Sequence, residues 1–203
     1  MYFCCPCVGH ARAARAPAPP PRSRCRPTPA RAAHRARSRR RSLAGGCFWG
    51  MEEILRQIPG VVSTEAVYAG GRKGLTYDDV HTGQTGSAEA VRVVFDPKLL
   101  SYEDLLAKWF FRMHDPTTPN RQGNDVGSQY RSAIFVTSAA QRETAERVKK
   151  RVDASHAWPK PIVTEIVDAG VATRAEEFHQ RYLEKNPGGY TCHYLRDFGG
   201  QSL

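Results

Sequence analysis

Gly45-Gly46-Cys47-Phe48-Trp49-Gly50 places a cysteine after two glycines and before two aromatic residues, at the head of an amphipathic segment. Phe48, Met51, Ile54, Leu55 and Ile58 recur at three- and four-residue spacing, which predicts a helix over 47–58. Pro59-Gly60 stops it. Cys47 then lies in the first turn, where unpaired N–H groups and the positive end of the helix dipole favour a thiolate. Such a site is expected to lower the thiol pKa below its free value of about 8.5. Gly45 and Gly46 carry no Cβ, so a substrate is expected to come close to the sulfur. The competing reading is a buried structural cysteine, because free Cys is often a small core residue.

Working downstream, Val61–Tyr68 reads as a strand closed by Ala69-Gly70-Gly71, and Ala88–Phe95 as a second strand ending at Asp96-Pro97. Ser101 caps a helix over 102–113, with Leu105, Leu106, Trp109 and Phe110 as its core stripe. A long polar loop, His114–Tyr130, leads to a strand at Arg131–Thr137. Ser138 and Gln141 form a capping box for a helix ending near Ala154. A strand at Ile162–Asp168 and a helix at Ala175–Lys185 follow, and Asn186-Pro187-Gly188-Gly189 releases a coil that carries Cys192. This order fits an α+β fold: a two-layer α/β sandwich with a mixed sheet, a ferredoxin-like core and a long C-terminal coil. A strand should precede Gly45 to hold the nucleophile, yet residues 38–44, Ser-Arg-Arg-Arg-Ser-Leu-Ala, have almost no strand character.

Upstream the composition changes. The formal net charge is +10, but residues 1–42 hold 11 Arg and no Lys, Asp or Glu. The remaining 19 basic residues face 20 acidic ones, so residues 43–203 carry a net charge of −1. Arg, Ala and Pro fill 27 of the first 42 positions, too few apolar side chains for a core. Residues 1–42 are therefore expected to be a disordered tail and 43–203 a catalytic domain. The tail is read first as sequence upstream of a misassigned start, next as an organelle transit peptide, and last as an electrostatic contact for nucleic acid or anionic surfaces. No secretory signal and no run of about 18 apolar residues is present, so no membrane span is expected. Cys4, Cys5, Cys7 and Cys25 lie in the tail without the ordered second half of a zinc site, and no metal is expected. The folded part keeps Cys47 and Cys192, which suggests a catalytic pair in a reducing compartment; a structural disulfide is the alternative.

Two polar clusters lie near strand ends. One runs from Thr76-Tyr77-Asp78-Asp79 through Thr82-Gly83-Gln84-Thr85-Gly86 to Ser87-Ala88-Glu89. Glu89, at the mouth of a buried strand, is a candidate for a desolvated, protonated acid; a solvated strand end is the plain alternative. The other is Gln122-Gly123-Asn124-Asp125-Val126-Gly127-Ser128-Gln129-Tyr130-Arg131-Ser132. Loops this rich in Asp, Asn, Gly and Tyr carry function more often than packing, although Asp125 also suits a turn.

Taken together, Gly-Cys-Phe-Trp-Gly at 46–50, Thr-Gly-x-Thr-Gly-x-Ala-Glu at 82–89, the 122–132 cluster and Asn-Pro-x-Gly-Tyr at 186–190 resemble methionine sulfoxide reductase of the A type. The resemblance covers residues 43–196. It implies that Cys47 is the nucleophile, that Phe48 and Trp49 form a methyl-binding pocket, and that Tyr77, Glu89, Asp125 and Tyr130 surround the sulfoxide oxygen. Cys192, within Tyr190-Thr191-Cys192-His193-Tyr194, looks like the resolving cysteine. Ser87 stands where many members carry His, and a single C-terminal cysteine leaves no two-disulfide relay.

The implied chemistry is thiol-dependent reduction of a methionine S-sulfoxide, free or peptide-bound. Cys47 attacks sulfur, Glu89 supplies a proton, and Tyr77 and Tyr130 hold the oxygen. Cys47 is left as a sulfenic acid, and Cys192 closes a disulfide that thioredoxin or another dithiol reopens. No cofactor is implied. The expected partners are oxidised proteins, free methionine sulfoxide and thioredoxin, with no specific nucleic acid and no membrane, for a monomer in the cytoplasm, or in an organelle if the tail is a transit peptide. A two-cysteine thiol peroxidase shares the sulfenic acid and the resolving cysteine but needs no methyl pocket. A nucleic-acid-binding protein working through its Arg-rich tail is the non-enzymatic alternative.

Overall fold

The computed structural model describes residues 39–199, so residues 1–38 and the readings of their cysteines lie outside the described residues. In chain order the elements begin with β1 (Arg39–Gly45), α1 (Phe48–Arg56), β2 (Val61–Ala69), α2 (Tyr77–His81) and β3 (Ala88–Phe95). A continuous helical run, α3, joins Tyr102–Asp104, a π-type stretch at Leu105–Phe110, and Phe111–Met113. Then come β4 (Arg121–Gln122), β5 (Asp125–Val126), β6 (Ser132–Val136), α4 (Ala139–Ala154), β7 (Glu165–Asp168), β8 (Ala172–Arg174) and α5 (Tyr182–Lys185).

The first strand corrects the sequence reading. β1 starts at Arg39, inside the segment expected to be tail, so the ordered domain begins before residue 43. Its arginines overcome poor strand propensity through tertiary context. The strand has a partner on each side: Arg39–Leu43 pair antiparallel with Phe95–Val91, and Ser42–Gly45 pair antiparallel with Phe135–Ser132. Alternation puts Arg41 and Leu43 on the helix-covered face. Leu43 is fully buried there, and the Arg41 guanidinium lies 4.7 Å from the centre of the Tyr102 ring, its stem covering apolar surface.

The six-stranded sheet has the order β7-β6-β1-β3-β2-β8. Only the β6–β7 pair is parallel. The sheet is therefore mixed, as expected. Helices α1, α3 and α4 bury Met51, Leu55, Leu105, Leu106, Phe110, Val148 and Val152 with Leu43, Val91, Val93 and Ile134 of the sheet in one core. The opposite face carries smaller residues, including Ala44, Ala69, Ala88, Ala90 and Ala133. Among the described residues no helix is long and apolar enough to cross a membrane.

Most predicted elements are present within a few residues, but the helix expected over Ala175–Lys185 shrinks to Tyr182–Lys185. Two side chains break it. Gln180 pairs with the backbone of Ala66 on β2, accepting from its N–H at 2.9 Å and donating at 3.0 Å to its carbonyl, which also accepts the Ala175 N–H. Buried Glu52 of α1 accepts the Arg181 N–H at 2.7 Å, and Arg181 adopts φ +54°. Residues 177–181 form turns rather than a helix, and His179 among them is buried. Helix α2 and strands β4, β5 and β8, each of five residues or fewer, fall where loops or nothing regular was expected.

Candidate active site

Cys47 is the N-cap of α1 and is 7% exposed. At the same turn the Phe48 N–H donates to Glu89 Oε2 at 3.1 Å, tying the first residue of the helix to β3. Glu89 is 3% exposed, and burial raises its pKa to about 8 although the Phe48 N–H pulls the other way. The carboxyl therefore carries its proton at neutral pH, and the solvated strand-end alternative fails at this position. The thiol departs from expectation. Burial first, then the neighbouring Glu89, push the Cys47 pKa up, and the Trp49 N–H opposes them only in part. The helix terminus loses to desolvation here because the sulfur sits inside the core rather than in solvent.

Tyr77, at the start of α2, is half-buried, and Tyr130, in the turn before β6, is 9% exposed. Burial and then the charge of Glu89 raise both phenol pKa values, and Cys47 and Asp125 act on both rings as well. The five expected polar groups thus share one electrostatic neighbourhood, and both phenols stay protonated donors. Phe48 is 1% exposed, with its ring 5.8 Å from Tyr68 and 5.0 Å from His179. Trp49 is half-buried and stacks on Tyr182 at 3.7 Å.

The C-terminal coil completes the site. Asp125 on β5 accepts from Tyr190 Oη at 3.1 Å and from the Cys192 thiol at 3.5 Å. Burial, then Asp125, raises the Cys192 pKa to about 11. Cys47 and Cys192 are both free thiols, so no structural disulfide joins them. The coil is held by its own contacts: His193 Nε2 lies 2.8 Å from the Gly45 carbonyl, and Arg196 N–H donates to the Arg112 carbonyl at 3.0 Å.

The glycines of the opening motif serve this assembly rather than the substrate. A Cβ on Gly45 would lie 2.8 Å from the His114 ring, and one on Gly46, where φ is +103°, would lie 2.5 Å from the Gln122 side chain. A Cβ on Gly50 would meet Thr191 Oγ1 at 2.2 Å and His193 Nδ1 at 2.7 Å. The space expected for substrate approach is filled by the protein's own side chains.

Sequence reasoning missed Glu176, His179, Tyr182 and His193. Trp49 Nε1–H donates to His179 Nδ1 at 2.9 Å, and Glu176 accepts from Tyr68 Oη and from the Tyr77 N–H, each at 2.8 Å. The available signal was Glu176-Glu177-Phe178-His179-Gln180-Arg181-Tyr182, which sets His and Gln at positions that the structure buries. The stretch was expected instead as part of a helix over Ala175–Lys185.

Comparison with known proteins identifies a family. A family profile described as peptide methionine sulfoxide reductase matches residues 39–202. A relative from Mesorhizobium japonicum named peptide methionine sulfoxide reductase MsrA 1 is 52% identical over 158 residues, spanning 77% of this chain and 89% of its own. The crystal structure of reduced Mxr1 from Saccharomyces cerevisiae is 38% identical with a TM-score of 0.75, covering 80% of this chain and 94% of that one. Mxr1 in complex with Trx2 is also similar, at 26% identity and a TM-score of 0.54, covering 80% of this chain and 92% of that one. With its thiol and protonated carboxyl at one helix N-terminus, and a family match that starts on the first described strand, the chain belongs to the peptide methionine sulfoxide reductase family of oxidoreductases.

Proposed function

We propose that this protein reduces the S epimer of methionine sulfoxide, free or peptide-bound, to methionine through a Cys47 sulfenic acid and a Cys47–Cys192 disulfide that thioredoxin reopens. The observation that carries this reading is the buried Glu89 carboxyl, bonded to the N–H of the residue after Cys47 and protonated at neutral pH. Cys47 and Glu89 cannot both be ionised cheaply in one buried pocket, so the resting site holds both protons. When a sulfoxide enters, Glu89 gives its proton to the oxygen while Tyr77 and Tyr130 donate hydrogen bonds to it. Loss of the proton leaves a negative carboxylate, which the Phe48 N–H stabilises. The Cys47 sulfur supplies the electron pair to the substrate sulfur as its own proton passes to the Glu89 carboxylate beside it, which restores the acid. Collapse transfers the hydroxyl to Cys47, giving methionine and the sulfenic acid. Phe48 and Trp49 would receive the substrate methyl, worth about 1 kcal/mol for one such group.

Cys192 then condenses with the sulfenic acid, releasing water, and an external dithiol takes the disulfide apart. The structural likeness to Mxr1 in its complex with Trx2 supports thioredoxin as that dithiol. Exposed Tyr190, Tyr194, Phe178 and Val126 near the site suit a peptide chain as well as the free amino acid. The strand order β6-β1-β3-β2, with α1 and α3 in the crossovers, supports the ferredoxin-like, two-layer reading of the core. A reducing compartment such as the cytoplasm, and a single chain as the working unit, follow from the same reading.

The test is turnover with thioredoxin on the two separated sulfoxide epimers and on hydrogen peroxide. Methionine should form from the S epimer alone. Equal consumption of both epimers, or faster turnover of peroxide, overturns the assignment.

A further inference from the structure

His193 follows the resolving cysteine directly, and nothing in the reaction as written so far uses it. It is 7% exposed although it belongs to a terminal coil with no regular secondary structure. Its two nitrogens face two different things. Nε2 lies 2.8 Å from the Gly45 carbonyl, two residues before Cys47, and Nδ1 lies 3.5 Å from the Cys192 sulfur. A carbonyl oxygen can only accept, so Nε2 carries the hydrogen. Burial lowers the imidazole pKa to about 4, so at neutral pH the ring is neutral and Nδ1 is an acceptor beside the Cys192 sulfur, competing with Asp125 for its one S–H hydrogen. Thr191 Oγ1 accepts the His193 N–H at 3.1 Å and sets the ring's entry angle. Gly50 leaves room for Nδ1 and Gly46 for the ring edge, which a Cβ would approach to 2.7 Å and 3.2 Å respectively.

We propose that His193 is the positioning residue of the resolving step: its Nε2–H clasps the Gly45 carbonyl and so holds Cys192 beside the turn that carries Cys47, while sulfoxide reduction itself proceeds without it. The inference rests on Cys47 being the nucleophile and Cys192 its resolver. In the step it serves, the Cys192 S–H proton leaves and the sulfur's electron pair forms the S–S bond. The Cys47 S–O bond breaks, and the departing hydroxide takes a proton to leave as water. Cys192 sulfur is oxidised and Cys47 sulfur reduced, with no outside reagent. Without the clasp, the reacting sulfur depends on its own contact and that of Tyr190 with Asp125 and on the Arg196–Arg112 bonds several residues away. Misplacement of a reacting atom by about 1 Å costs up to roughly 10²-fold, which sets the scale.

Two variants separate clasp from bulk. His193→Phe keeps the ring and loses the N–H; His193→Gln places an amide nitrogen about where Nε2 stands. Rapid-mix single turnover on methionine S-sulfoxide gives two clocks, methionine release by chromatography and loss of the second free thiol by quenched mass spectrometry. The Phe variant should release one equivalent of methionine at the wild-type rate, while its disulfide forms about 10- to 100-fold more slowly. The Gln variant should recover most of the disulfide rate. The proposal is overturned if the Phe variant forms disulfide as fast as wild type, if methionine release slows equally, or if Gln restores nothing. A wild-type protein that releases no methionine would instead sink the assignment of function.

Discussion

At the scale of single residues, the proposed chemistry turns on Glu89. Burial sets it apart from exposed carboxylates, and it keeps its proton because the core penalises a charge more than the Phe48 N–H rewards one. A group that must be protonated to act gives a definite sign. The first-turnover rate should be level below the folded pKa and fall as pH rises through about 8, where Glu89 loses its proton. Glu89→Gln keeps the size and the hydrogen bond from Phe48 but has no proton to transfer. Its rate at neutral pH should drop by about 10²–10⁴-fold, the usual worth of general acid catalysis. The variant should lack the fall near pH 8, and its deficit should narrow in acid, where solvent supplies the proton. Single-turnover methionine release across pH measures both features. A variant within about threefold of wild type at neutral pH, far short of that range, would mean that the proton comes from elsewhere. The residue types of this site were legible in the sequence because reactive side chains cluster in short motifs. The direction of the Cys47 shift was not, because a helix N-terminus announces itself in sequence while the depth of burial does not.

At the scale of elements, the helices and strands with clear periodicity were legible: α1, β2, β3, α3 and α4 all stand near their expected positions. β1 was not, since Arg39, Arg40 and Arg41 argue against a strand locally and only their pairing with β3, continued by the pairing of Ser42–Gly45 with β6, makes one. The residues 176–181 misled in the opposite sense, as helical spacing hid the bonds from Gln180 and Glu52 that undo the helix. Because β1 starts inside the segment expected to be tail, it sets where the chain can be shortened. A chain beginning at Leu43 loses the pairing of Arg39–Ser42 with Phe95–Arg92 at the middle of the sheet, and the Arg41 cover of Tyr102. Each lost backbone bond is worth about 0.5–1.5 kcal/mol net. Summed over the half-strand this is a large share of a marginal total of roughly 5–15 kcal/mol. A chain beginning at Arg39 keeps every described element. Urea unfolding should therefore place the midpoint of the Leu43 start well below that of the Arg39 start. Equal midpoints would show that the first half of β1 contributes nothing to stability.

At the scale of the whole molecule, the proposed reaction is divided between two kinds of structure. The reductive half belongs to the packed core, where Cys47 and Glu89 sit at the junction of α1 and β3. The oxidative half depends on a coil that has no strand or helix of its own and is fastened by Tyr190, His193 and Arg196. In the proposed cycle, fastening on both sides of Cys192 would let one C-terminal cysteine serve without a relay, because the coil contacts on either side hold the thiol in place. The two halves should come apart under mutation. Cys192→Ser removes the thiol and leaves the core, so it should release about one equivalent of methionine per chain at the wild-type rate and then stop, with Cys47 held as a sulfenic acid. Thioredoxin should give no further turnover, because it acts on a disulfide that can no longer form. A sulfenic-acid-specific reagent should label the stalled protein at Cys47, and wild type under the same conditions should yield the disulfide instead. Undiminished steady-state turnover of the variant with thioredoxin would remove Cys192 from the cycle, and with it the division of labour between core and coil.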